Sequence, residues 1–268
     1  MQTSVISFKS VNIRYSAQGK GNAVVLLHGY LESLEIWNGF ADDLAKNYLV
    51  VAIDLPGHGQ TGIVSDNLTV EQMAECVKAV LFHLSIESAV IIGHSMGGHA
   101  TLAFAKMWPE NIQGIGLFHS VSWADLPEKR EARDKEIELV KQGKKQLICN
   151  FSIPRGFADD NLEKFKAEVD FALLIASSTS DAGIIASLNA MKARKDRTNL
   201  LEKLEVPVFF GIGMKDNYIP AEKLLAITSL PDRKQVSIFE NSGHMGFIEE
   251  RALAVDEMDS FLKMCYAN

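Results

Sequence analysis

The chain has few cysteines, and nothing in their arrangement suggests chemistry. Cys76, Cys149 and Cys265 are odd in number and far apart, which argues against a disulfide framework and offers no metal-ligand spacing. Basic charge is also in short supply. The 27 Lys and Arg are outnumbered by 34 Asp and Glu, for a net charge of −7. Nucleic acid, whose phosphates demand basic patches, is therefore not an expected partner. No apolar run approaches the ~18 residues needed to span a bilayer, so a membrane is not expected either. The stretch from Met1 to Lys9 lacks a basic segment followed by an apolar core and a small-residue cleavage site. That reads as no secretory signal, and the expected setting is a reducing cytoplasm. Internal repeats, low-complexity segments, phosphate-cradling glycine loops and metal motifs are also missing, so no cofactor or metal is expected. What is present is an ordinary apolar fraction of 47% over 268 residues, enough for one α/β domain with an insertion or for two small domains.

The most informative stretch is Gly93-His94-Ser95-Met96-Gly97-Gly98. Ala89 to Ile92 before it reads as a buried strand, and Ala100 to Ala105 after it as a helix packed closely on a sheet. A serine on so tight a strand-to-helix turn sits in a strained backbone, tolerable only where its neighbours carry almost no side chain. Gly93 and Gly97 supply that room. The hydroxyl then projects above the sheet, and the Met96 N–H at the helix N-terminus is placed to donate to a developing oxyanion.

Around this turn the chain alternates between strands and helices. Residues 4–8 and 11–16 suggest an opening antiparallel pair. Ala23 to Leu27, Leu49 to Ile53 and Ile112 to Leu117 are apolar runs of the kind parallel sheets bury on both faces. Thr69 and Gln72 form a capping box opening a helix striped by Met73, Val77, Val80 and Leu84. The alternation predicts a mostly parallel sheet with helices on both faces. It stops between Asp125 and Asp170, where 21 of 46 side chains are charged, 11 acidic and 10 basic. Apolar residues persist there as thin stripes such as Leu162, Phe165, Val169 and Ala172, which predicts amphipathic helices lying over something else. Alternation resumes with a strand at 206–211, a helix over about 221–229 and a strand at 236–239. A final helix follows, its face drawn as Ile248, Ala252, Val255, Met258 and Leu262. The expected organisation is a core of 1–121 and 205–268 with a helical lid at 122–204.

Three loops at strand C-termini thus carry Ser95, Asp216 and His244 in that order. A free hydroxyl is too weak an acid to attack an ester at neutral pH, so Ser95 needs a base. His244 can take that proton and pass it to the leaving group, and Asp216 can fix the imidazole tautomer. In an open α/β sheet all three loops lie along the same edge.

These motifs resemble the α/β-hydrolase superfamily, whose small esterase-like and enol-lactonase-like serine hydrolases are the nearest in pattern. The similarity covers roughly 1–120 and 205–268: Ser-acid-His order, a D-x-x-G-x-G turn at 54–59, an acid loop at 213–220 and a Ser-Gly-His turn at 242–244. A weaker likeness is the segment from Met191 to Thr198, similar to the end of the lid in those members. The resemblance implies an α/β-hydrolase fold with Tyr30 and Met96 as the oxyanion-hole amides. It also raises Asp125 as a rival acid, since some members place theirs on that earlier loop. His28, His58 and His94 lie in family motifs without a catalytic assignment and read as structural. His119 and Trp123, on the loop beside the elbow, are candidate substrate contacts, with core packing the competing role. Phe151, Phe157 and Phe165 read as packing on the underside of the lid. The implied activity is carboxylic-ester hydrolysis of a small-molecule ester or lactone. Enol-lactone hydrolysis, thioester hydrolysis, C–C bond hydrolysis and perhydrolysis need the same residues, and a triad-bearing small-molecule receptor is the alternative outside catalysis. A nucleophilic serine in place of aspartate argues against dehalogenase or epoxide-hydrolase chemistry.

Overall fold

Aliphatic runs without a polar break need cover on both faces. In the computed structural model, which describes residues 2–267, they form the middle of one sheet. Residues 1 and 268 of the expected core segments lie outside the described residues. The strands are β1 (Thr3–Phe8), β2 (Val11–Gln18), β3 (Ala23–Leu27), β4 (Leu49–Ile53), β5 (Ala89–His94), β6 (Ile112–Phe118), β7 (Val208–Gly213) and β8 (Lys234–Phe239). Their order is β1-β2-β4-β3-β5-β6-β7-β8. β2 runs antiparallel to both β1 and β4, and every other pairing is parallel.

Alternation along β3 shows the two layers. Val25 and Leu27 face a core shared with α2 (Val70–His83) and α3 (Met96–Met107), and Val24 and Leu26 face one shared with α1 (Phe40–Leu44) and α11 (Arg251–Tyr266). Thr69 caps α2 as expected: its hydroxyl accepts from Gln72 N at 3.2 Å while Gln72 Oε1 accepts from Thr69 N at 3.0 Å.

Between β6 and β7 the chain builds α4 (Pro127–Lys141), α5 (Lys145–Arg155), α6 (Lys166–Ser178), α7 (Asp181–Ala193) and the short α8 (Thr198–Leu201). α4 packs on α7 and α5 on α6. The stripe Leu162, Phe165, Val169 and Ala172 joins the lower core. Among the described residues no single helix is long and apolar enough to cross a membrane.

Two helix expectations need correction. The helix after β7, α9 (Ala221–Leu225), stops four residues early and gives way to turns. The last helix is two: α10 (Gly246–Glu249) stops before Glu250 and α11 restarts at Arg251. That break resets the helical phase. Ala252 is consequently exposed, and the buried face of α11 is Ala254, Met258, Phe261, Leu262 and Cys265.

Candidate active site

β5 delivers Ser95 and α3 leaves it. The serine holds φ 47° and ψ −112°, a region costly for any residue with a Cβ. Its neighbours explain how this is tolerated. A side chain at Gly93 would collide with the Gly97–Gly98 backbone, and one at Gly97 with the carbonyls of Leu27 and His28. The turn is tied down by Ser95 N donating to Phe118 O at 3.0 Å and by the Ser120 hydroxyl donating to Ser95 O at 2.6 Å.

β7 ends at the loop carrying Asp216, and β8 at the loop carrying His244. Asp216 Oδ2 lies 2.7 Å from His244 Nδ1, while its Oδ1 accepts from the amides of Tyr218 at 2.7 Å and Ile219 at 3.0 Å. The carboxylate is fully buried. Burial disfavours charge on both groups, but the pairing outweighs it. Asp216 is held below its usual range, and His244 is raised above its ordinary 6.5. With Nδ1 engaged, Nε2 is the nitrogen left to handle a proton. Ser95 and His244 line one cavity of about 290 Å³. Among the described residues no hydrogen bond joins their side chains, a contact that commonly tightens only around bound substrate.

Two buried carboxylates that local sequence patterns do not reveal hold these loops together. Glu32 Oε2 accepts from Gly29 N at 2.5 Å and pairs with His94 Nδ1 at 2.9 Å, and His94 Nε2 in turn lies 2.9 Å from His244 O. One carboxylate thereby links the loop after β3, the elbow and the backbone of the histidine loop. Burial works against its charge, but His94 and the Gly29 amide prevail and keep Glu32 below its usual range. Glu249 does similar work across the sheet edge, accepting from Gly243 N, Ala158 N and Asn161 Nδ2, each at 2.8 Å.

The remaining candidates separate. Tyr30 and Trp123 line the cavity. Neither the Tyr30 nor the Met96 N–H has a hydrogen-bond partner among the described residues. His119 does not line it. With φ 46° its ring turns into the core, fully buried, 3.1 Å from the amides of both Gly213 and Gly246. Burial keeps it neutral, so it accepts from one of the two and braces the acid and histidine loops from below. Asp125 is nowhere paired with His244. It sits between Arg133 Nε at 2.5 Å and Arg194 Nη1 at 2.6 Å, a clasp joining the start and end of the helical insertion. His28 accepts from Leu55 N at 2.9 Å and His58 from Leu31 N at 3.3 Å; burial pushes His58 down to about 3. Phe157 is buried, whereas Phe151 is 65% exposed, its ring against Arg155 rather than the cavity. The expectation of an apolar lid underside also needs revision, because α4 faces the cavity with Lys129, Arg133 and Glu136.

A mostly parallel sheet with an antiparallel second strand, the elbow after β5 and an insertion after β6 define the class: the chain is an α/β-hydrolase-fold protein. Residues 22–140 match the family model described as alpha/beta hydrolase fold. Its structure is similar to that of a thermophilic esterase from Thermogutta terrifontis with malate bound, at TM-score 0.94 and 24% identity, covering 99% of this chain and 100% of that one. It is also similar to the enol-lactonase from Burkholderia xenovorans LB400, at TM-score 0.90 and 19% identity, covering 97% and 100%. In sequence it is 27% identical over 260 residues to a 2-hydroxy-6-oxononadienedioate/2-hydroxy-6-oxononatrienedioate hydrolase of Escherichia coli, spanning 88% of this chain and 85% of that relative.

Proposed function

We propose that the chain is a serine hydrolase cleaving carboxylic esters of small substrates through an acyl-enzyme. The observation that carries this reading is the 2.7 Å His244–Asp216 pair opening on the same cavity as a serine held at φ 47°. Ser95 Oγ attacks the acyl carbon as His244 Nε2 takes its proton, and Asp216 stabilises the imidazolium that forms. The free amides of Tyr30 and Met96 receive the oxyanion. Collapse returns the proton to the leaving alkoxide. Water, deprotonated by the same histidine, then releases the acid. Residues 122–204 act as the cap over a core of 1–121 and 205–268, screening the acyl-enzyme from bulk solvent.

Lactone or C–C bond cleavage would use the same residues, and the enol-lactonase and Escherichia coli hydrolase likenesses keep both in view. A fluorophosphonate should label Ser95 alone, and Ser95→Ala should lower kcat on short esters by about 10⁴-fold or more. An adduct mapped elsewhere removes Ser95 as nucleophile. One covalent event without turnover of esters, thioesters or lactones favours a receptor.

A further inference from the structure

One wall of the cavity carries more charge than ester chemistry requires. Lys129, Arg133 and Glu136, spaced i, i+4 and i+7, share the face of α4 that lines it. Arg133 turns Nε and Nη2 to Asp125, at 2.5 and 3.4 Å, which leaves Nη1 without an acceptor among the described residues. Lys129 Nζ has no hydrogen bond or ion pair among the described residues. The Tyr30 hydroxyl is buried beside Glu136 without a hydrogen bond of normal geometry among the described residues. Lys129, itself exposed, thus lines the cavity without a partner, beside the buried Arg133 and the buried Tyr30 hydroxyl, for which an unmatched donor is costly.

The charge balance points the same way. Lys129, Arg133 and Arg194 stand against Asp125 and Glu136, which leaves one positive charge on this wall. Burial raises Glu136 and reduces its ionised share. Burial and Arg133 together lower Lys129, so a nearby anion would relieve the very repulsion this lysine experiences. A monoanion neutralises such a wall, whereas a phosphate dianion overshoots it.

We infer that Lys129, Arg133 and Tyr30 form a subsite for a free carboxylate on the substrate, and that the preferred substrates are hemiesters of short dicarboxylic acids or carboxylate-bearing lactones. This rests on the serine-hydrolase reading above. It extends that reading by placing a second recognition point away from the scissile bond, within a cavity of only about 290 Å³.

The test compares hydrolysis of methyl hydrogen glutarate with that of methyl pentanoate, which matches its length without the charge. Wild type should favour the hemiester in kcat/KM by about tenfold or more, the worth of one charge-assisted contact. Lys129→Gln should reduce that ratio about tenfold and Lys129→Glu should invert it. A ratio near or below one in wild type, or one that Lys129→Gln leaves alone, overturns the subsite. Calorimetry with glutarate and Ser95→Ala protein gives a readout free of turnover. Binding at one site, weakened about fivefold or more when Lys129→Gln is added, supports the subsite, and no binding or Lys129-independent binding overturns it. Lys129-dependent glutarate binding without turnover of either ester would sink the hydrolase reading and leave the subsite standing. Turnover of methyl pentanoate with no preference for the anion would do the reverse.

Discussion

Replacing Glu32 by glutamine removes one charge and almost no volume, yet it should disturb the site at three points. His94 Nε2 faces a carbonyl, His244 O, at 2.9 Å and must therefore carry a proton. His94 Nδ1 faces Glu32 Oε2 at 2.9 Å, and the same oxygen accepts from Gly29 N at 2.5 Å. A carboxylate oxygen can serve His94 Nδ1 and the Gly29 amide at once. A glutamine cannot. With its oxygen toward Gly29 it gives up the carboxylate contact to His94 Nδ1, and with its NH₂ toward Nδ1 it abandons the Gly29 amide. Breaking a buried pair by removing one partner costs about 3–5 kcal/mol, and a glutamine that keeps one contact should recover part of this, leaving about 2–3 kcal/mol. For a chain of this size that lowers Tm by roughly 5–10 °C. The loop losing its anchor adjoins the free Tyr30 amide, and the carbonyl losing its donor belongs to His244 itself, so kcat should fall about 10- to 100-fold with KM little moved. Thermal unfolding and steady-state kinetics at 20 °C separate the two effects. Loss of stability with kcat retained would make Glu32 purely structural. A variant within about 1 °C and threefold of wild type would refute the reasoning altogether.

Further predictions concern the two aspartates. Because His244 is raised above 6.5 by Asp216, the acid limb of kcat/KM should have its midpoint above pH 6.5, the neutral base forming only beyond it. Asp216→Asn should bring that midpoint down and cost about 10³- to 10⁴-fold in kcat, as measured across a pH series. The stability linked to the pair has both signs. The Asp216 share is present above the ordinary carboxylate range and lost as pH falls through its depressed value, while the His244 share is complete below 6.5 and lost as pH rises through its raised value. Tm of wild type minus that of Asp216→Asn should therefore shrink towards alkaline and strongly acid pH, and a flat difference would contradict the assigned pairing. Asp125→Asn strands two buried arginines and should destabilise by about 3–5 kcal/mol in urea while the pH midpoint stays with wild type. A shifted midpoint would return Asp125 to candidacy as the acid.

Much of this fold was legible because its strongest constraints are local. Ala23 to Leu27 and Ala89 to Ile92 read as buried strands since only two-sided cover tolerates five- and four-residue apolar runs. The elbow read clearly because the room Ser95 needs is supplied two residues away on either side, at Gly93 and Gly97. What stayed hidden depends on partners distant in sequence. Glu32 and His94 stand 62 residues apart, and nothing in either neighbourhood announces the other. His119 occupied the right loop for a substrate contact, but φ 46° turns its ring inward, and a side-chain direction of that kind is not written in periodicity. The face of α11 was misdrawn because one helical phase was run through Glu250, where the chain breaks and restarts. The underside of α4 carries the same lesson into function. Lys129, Arg133 and Glu136 form a polar stripe, and a polar stripe on a helix rich in charge is indistinguishable by pattern from a face turned to water. Only the position of α4 over Ser95 and His244 tells the two apart.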